Sequence, residues 1–207
     1  MKVIMINGSP KKNGNTAIAL KEIGDRLLLN GIEYEIINVG DNVIAGCKGC
    51  SACRKLGKCI IDNDLVNESV AKIYDADALI VASPVYYASL NGTLKCFLDR
   101  VFYSKKSFAG KPAAAVAVAR RAGTTATLDI INKYFAISNM PIVTSSYWNL
   151  IHGRVPGDAE KDAEGLQTMR ILADNIAWIL KCIEAGKEKG IALPEYEPKI
   201  LTNFIRE

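Results

Sequence analysis

A single histidine, His152, occurs in 207 residues. Nothing like a protease triad is visible, and His152 alone stands as a donor that could pass a proton to a reduced acceptor, although lone histidines more often serve structure. Blocks of like charge are also missing: 26 basic and 22 acidic residues are spread along the chain and leave a net charge of +4. Tracking a phosphate backbone takes a clustered basic face, so nucleic acid is not expected as a partner. Long apolar runs are absent too. Met1-Lys2-Val3-Ile4-Met5-Ile6 breaks at Asn7-Gly8-Ser9-Pro10, well short of a membrane span and without a cleavage-like end. It reads as a first strand, and neither membrane nor export is expected. The six cysteines then belong in a reducing, cytoplasmic compartment. There is no internal repeat or low-complexity tract, and the length suits one domain with one site.

What is present is an alternation of short apolar strands with amphipathic helices. Val3–Asn7 is β-rich, and Thr16–Leu29 repeats Ile18, Ala19, Ile23 and Leu27 at helical spacing before Asn30-Gly31 ends it. Glu33–Val39 alternates, Asp64–Tyr74 is amphipathic, and Ala78–Ala82 suits a buried parallel strand. Leu90–Phe102 is helical, Ala113–Ala119 a fourth strand, Thr124–Phe135 helical, Pro141–Ser145 a fifth strand and Glu164–Ala185 a closing helix. The pattern demands right-handed crossovers and a parallel sheet covered on both faces. We therefore expect a doubly wound, five-stranded α/β domain over residues 1–186, with strand order 2-1-3-4-5. Residues 187–207, with Pro194 and Pro198, are expected to form an irregular extension that embraces a neighbouring subunit.

Such sheets bind ligands beyond the carboxyl ends of their strands. After the first strand comes Gly8-Ser9-Pro10-Lys11-Lys12-Asn13-Gly14-Asn15-Thr16. It lacks the Gly-Lys-Ser/Thr of a P-loop and the G-x-G-x-x-G of a dinucleotide fingerprint. Its hydroxyls, side-chain amide and helix N–H groups can still surround one phosphate, with Ser9, Asn15 and Thr16 as donors and Lys11 and Gly14 in the same loop. The segment also reads as an ordinary turn in which Asn15 or Thr16 caps the helix.

The pattern G-S-P-x-x-x-G-N-T resembles the phosphate loop of the NADPH-dependent FMN reductases and the related iron–sulfur flavoproteins. Ser83-Pro84-Val85-Tyr86-Tyr87 and the downstream Lys95-x-Phe97-x-Asp99-Arg100 are similar to the family's P-x-Y segment and K-x-F-x-D-R helix. The resemblance covers most of the chain up to about Ala185. It implies a flavodoxin-like fold with noncovalently held FMN, contacted by Pro84, Val85, Tyr86 and Tyr87. It also implies a polar loop at Arg120, Arg121 and Gly123 over the pyrimidine side of the ring. Physically, Pro84 stiffens the strand exit while the tyrosines offer flat faces to a planar ring. The same tyrosines read equally as core packing, and either arginine as a solvated surface group. Lys95, Asp99 and Arg100 read as structural pairs along their helix. Positive charge near the ring would stabilise its reduced form. Ser146–Gly153 with Asp162–Gly165 resembles a variable region of the iron–sulfur branch and is expected to roof the substrate pocket.

Cys47-x2-Cys50-x2-Cys53-x5-Cys59 places four soft ligands within thirteen positions. A [4Fe-4S] cluster accepts such crowding, whereas structural zinc usually takes two separated pairs. The spacing resembles the compact motif of the iron–sulfur flavoproteins, and Lys48, Arg54, Lys55 and Lys58 would offset thiolate charge, while the lysines read equally as ordinary surface charges. Reduced thiols near the flavin, or zinc, are competing readings. Cys96 and Cys182 fall on helices and are expected to be packed. Two functions follow from the resemblance. The first is an FMN enzyme that takes a hydride from NAD(P)H and reduces a quinone-like, aromatic or other small acceptor. The second is an electron carrier in which a ferredoxin-like donor feeds a cluster and then FMN. A third reading, a flavin-holding regulatory module, draws on no specific feature. The resemblance further implies a homodimer or homotetramer.

Overall fold

Burial on both faces decides how the strands associate. In the computed structural model, which describes residues 1–104 and 106–205, β1 (Lys2–Asn7) is buried from Val3 onward. So are β3 (Ala78–Tyr86) as far as Ser83 and the whole of β5 (Ala113–Ala119). Continuous burial rather than alternation belongs to parallel strands sandwiched between helices. The sheet runs β2 (Glu33–Asn38), β1, β3, β5, β6 (Leu150–His152), all parallel. A two-residue β4 (Ser89–Leu90) folds back antiparallel onto the end of β3. Counted along the parallel strands alone, the order is the expected 2-1-3-4-5.

Alternate residues of each strand feed two cores. Val3 and Met5 face one core built with α1 (Asn15–Leu29) and α6 (Ala163–Glu188). Ile4 and Ile6 face the other, with α3 (Val66–Asp75), α4 (Gly92–Tyr103) and α5 (Thr124–Ile137). A short helix α2 (Cys53–Leu56) lies inside the cysteine run. α6 closes on left-handed Gly190, whose N–H donates to Lys187 while that of Ile191 donates to Gly186, so its last carbonyls are satisfied. From Ile191 to Ile205 the backbone enters no helix or strand. The last two residues of the expected arm lie outside the described residues.

The expected fifth strand at Pro141–Ser145 is corrected. Only a bridge between Ala113 and Ile142 forms there, and the chain leaves the sheet until β6. Ser145 explains the break: its hydroxyl donates to the Tyr147 carbonyl at 2.8 Å and accepts from the Tyr147 N–H, a local turn that competes with the ladder. Buried Asn149 donates back to the Val143 carbonyl, holding the two halves of the split edge together.

Gly40, just past β2, lies flat on the first loop. A Cβ there would fall 2.2 Å from the Ser9 carbonyl carbon and 2.3 Å from the Gly8 oxygen. We predict that Gly40→Ala costs about 2 kcal/mol through overpacking, a melting temperature lower by roughly 4–8 °C. Gly92→Ala, which meets open space, should leave it unchanged. Equal melting of both variants in calorimetry would refute this packing role.

Candidate functional site

The buried amide of Asn7 turns the chain out of β1. Its Oδ1 accepts from the Ser9 N–H at 3.0 Å and its Nδ2 donates to Asn38 Oδ1 at 2.9 Å. Ser9, nearly buried, accepts from the Lys11 N–H through Oγ at 3.1 Å, which leaves its hydroxyl hydrogen to donate elsewhere. Gly14 caps α1 without a side chain, and no acidic residue occupies the first turn. The opening N–H groups of a four-turn helix therefore face this loop with the positive end of its dipole.

Three further strand exits meet this loop. At the end of β3, Ser83 Oγ accepts from the Asn91 N–H at 3.1 Å and donates to the Pro84 carbonyl at 2.8 Å, fixing the hairpin that carries Tyr86. After β5, Gly123 adopts φ +92, and a Cβ there would lie 2.8 Å from Val85 Cγ1. Only glycine lets the start of α5 press on that strand end. After β6, Asn15 fastens the Gly153–Ala159 segment: its Oδ1 accepts from Ala159 at 3.2 Å and its Nδ2 donates to Val155 at 3.0 Å. Asp158 completes the turn by accepting from the Arg154 and Val155 N–H groups. These two donors, Val155 foremost, hold its carboxyl below the ordinary value of 3.8. The ion-acceptor contacts are thus complete above that value and are lost as pH falls through the lowered one.

One open cavity of about 230 Å³ results. Of the expected cofactor residues it is lined by Ser9, Lys11, Gly14, Asn15, Thr16, Pro84, Val85, Tyr86 and Arg120. Tyr87, Arg121 and Gly123 stand outside the lining. Tyr87 is fully exposed at φ +50, and Gly123 acts through Val85. Asn15 is present as a brace, with its amide committed to the 153–159 segment. Sequence reasoning missed Val118, Ala119, Gly153, Arg154 and Pro156, which complete the wall. Lys11, Arg120 and Arg154 are its charged residues, and no carboxylate lies among the lining residues. His152 is also outside the lining. Its backbone N–H donates to Asp162 at 2.6 Å and its Nε2 lies 3.1 Å from the Arg121 carbonyl, a tie between two loops.

Cys47, Cys50, Cys53 and Cys59 line a second pocket of about 30 Å³ with Arg100 and Tyr103. All four are free thiols. Left-handed Gly49, Ser51 and Gly57 curl the loop around it. Among the described residues, no three His, Cys, Asp or Glu side chains are drawn up as a ready coordination group. As a donor set, four soft thiols on a short loop fit a thiophilic iron group. Of the other cysteines, Cys96 is half-buried beneath Gly46, whereas Cys182 is exposed rather than packed.

A parallel sheet with an anion-accepting cleft at the carboxyl ends of β1, β3 and β5 defines a flavodoxin-like protein. Residues 1–154 match the family model described as NADPH-dependent FMN reductase. The chain is 35% identical over 195 residues to an iron–sulfur flavoprotein of Methanocaldococcus jannaschii, covering 89% of this chain and all of that one. It is 33% identical over 197 residues to an iron–sulfur flavoprotein of Methanosarcina thermophila, covering 91% and 100%. A solved flavodoxin from the domain Archaea superposes with a TM-score of 0.61 at 17% identity, covering 87% of this chain and 99% of that one. The chain therefore belongs to the NADPH-dependent FMN reductase family and is a flavin-dependent oxidoreductase.

The brace at Asn15 is testable. Removing its two hydrogen bonds, each worth about 1 kcal/mol, should loosen the already exposed segment around the Arg154–Val155 bond. We predict tryptic cleavage there roughly 5- to 30-fold faster in Asn15→Ala than in the unmodified chain. Asp158→Ala should act in the same direction. Cleavage at an unchanged rate in both variants would remove the brace.

Proposed function

We propose that this protein binds FMN, takes electrons from NAD(P)H and passes them to a small acceptor, quinone-like or aromatic. The observation that carries this reading is the charge of the cleft: three cations, no lining carboxylate, and an uncapped helix N-terminus at its floor. A monophosphate answers that demand. In this reading Ser9, Lys11, Arg154 and the first N–H groups of α1 bind the phosphate. Pro84, Val85 and Tyr86 wall the ring, and Arg120 offsets negative charge on its polar edge. The cofactor, when bound, supplies hydride acceptance and release; the protein supplies placement and exclusion of water. No side-chain acid or base is required, which agrees with His152 serving as a tie.

A second reading is favoured by the cysteine-lined pocket and by relatives named iron–sulfur flavoproteins. Here Cys47, Cys50, Cys53 and Cys59 hold a [4Fe-4S] cluster, and a ferredoxin-like donor replaces NAD(P)H. Under either reading we place the protein in the cytoplasm as a homodimer or homotetramer, with no nucleic-acid partner. Among the described residues no helix is long and apolar enough to cross a membrane. The 187–207 extension would be the oligomerisation arm. Its Ile200, Leu201, Phe204 and Ile205 are each more than 80% exposed, an apolar row that a single copy leaves in water.

Two measurements test these readings. Metal-free, flavin-free protein should quench FMN fluorescence stoichiometrically. Lys11→Gln and Arg154→Gln should each weaken FMN roughly 10- to 100-fold, the loss of one charge-assisted contact, without changing riboflavin affinity. Anaerobic stopped-flow then separates the donors: bleaching by NADPH supports the reductase, and bleaching only by reduced ferredoxin supports the carrier. Protein that takes up no FMN ends both.

A further inference from the structure

Arg100 is the bulkiest fully buried side chain among the described residues, and all five of its N–H groups have acceptors. Nη1 reaches Asp64 Oδ2 and the Ala45 carbonyl at 3.3 Å. Nη2 reaches Asp64 Oδ1 at 3.1 Å and the Ile61 carbonyl at 2.7 Å. Nε donates to Cys59 Sγ at 3.3 Å. Asp64 also accepts from the Val66 N–H at the start of α3. Ala45 and Ile61 are the two feet of the loop that carries all four clustered cysteines. One guanidinium on α4 therefore closes that loop and touches one of its sulfurs.

A buried guanidinium needs acceptors for all five of its N–H groups, and Asp64 supplies only two of them. The other three acceptors are the two feet of the cysteine loop and one of its sulfurs, and that choice of partners points to a role beyond packing. We infer that Arg100 is the positioning residue of the cysteine site: it closes the Ala45–Ile61 loop and draws electron density from Cys59 Sγ through Nε–H. This rests on the cluster reading given above. An N–H···S bond favours the more negative, reduced form of an iron–sulfur group and so raises its potential. Because Asp64 neutralises the guanidinium, the effect on the sulfur is that of one N–H dipole.

The test uses full-length protein reconstituted anaerobically with iron and sulfide, as wild type, Arg100→Lys and Asp64→Asn. Iron and acid-labile sulfide per chain report whether a cluster forms. Titration monitored by electron paramagnetic resonance gives its midpoint potential, with the flavin midpoint as internal reference. Arg100→Lys keeps the charge and loses the N–H···S bond, so the cluster midpoint falls. Asp64→Asn leaves the Arg100 charge unbalanced, so it rises. The flavin midpoint stays in place in both. An unmoved cluster midpoint in Arg100→Lys, or shifts of the same sign in both variants, overturns the inference. If Arg100→Lys does not fold, the sign of the Asp64→Asn shift decides. If wild type takes up no iron, the cluster reading fails separately, and the role of Arg100 is read on the metal-free chain. The rate at which iodoacetamide labels Cys59, taken relative to Cys47 in the same chain, then changes several-fold between wild type and Arg100→Lys. An unchanged ratio overturns the inference.

Discussion

The buried amide of Asn7 joins three strand ends, and the cleft depends on it. Its backbone carbonyl accepts from Val39 and Gly40 at the end of β2. Its side chain bridges Asn38 and Ser9, and the next residue, Gly8, donates to the Ala82 carbonyl of β3 at 2.8 Å. All but the half-buried Asn38 are out of water, where an unsatisfied polar atom costs about 1–3 kcal/mol. The chain can therefore leave β1 in only a narrow set of directions. Crossovers on opposite faces of the sheet open a crevice between β1 and β3, and Asn7 aims the first loop into it.

Much of this was legible in the sequence because it is local. Strand and helix periodicity located nine of the ten elements expected, and the first and third strand exits carried their own motifs. The pair of Lys95 and Asp99 forms along α4 at 2.6 Å as its spacing implies. Its neighbour Arg100 does not join that row. It occupies the buried face of α4 three residues beyond Phe97 and pairs with Asp64, far away in the chain. A charged residue at a core position was the available signal. The fifth strand failed for a similar reason: a serine hydroxyl settled a contest between turn and ladder that apolar periodicity does not record. The 153–156 wall was missed because only the long-range grip of Asn15 brings it to the cleft.

The two candidate sites make opposite electrostatic demands. The cleft gathers Lys11, Arg120 and Arg154 without a lining carboxylate, which suits an incoming anion. The cysteine pocket pairs its buried cation with Asp64, so what Arg100 itself presents to the sulfurs is small and directional, beside Lys48 in the lining. Surface pairs such as Lys2 and Lys72 with Glu35 are partly exposed and contribute little by comparison. Fold stability rests instead on the two apolar cores, which leaves the charged groups near each site free to serve binding.

Helix α4 links both sites mechanically. Its N-cap Asn91 hydrogen-bonds to Ser83 at the β3 exit, and its Leu94 packs so closely on Gly8 that a Cβ there would lie 2.6 Å from Leu94 Cδ2. Arg100 then holds the cysteine loop. From Asn91 to Arg100 the helix rises roughly 14 Å, so the stations are distinct yet carried on one rigid body. A change that tilts α4 must disturb cleft and cysteines together. A change confined to residues 45–61 can alter the thiols while the first loop keeps its hold on β1, because Asn7 fixes that loop without help from the cysteine segment.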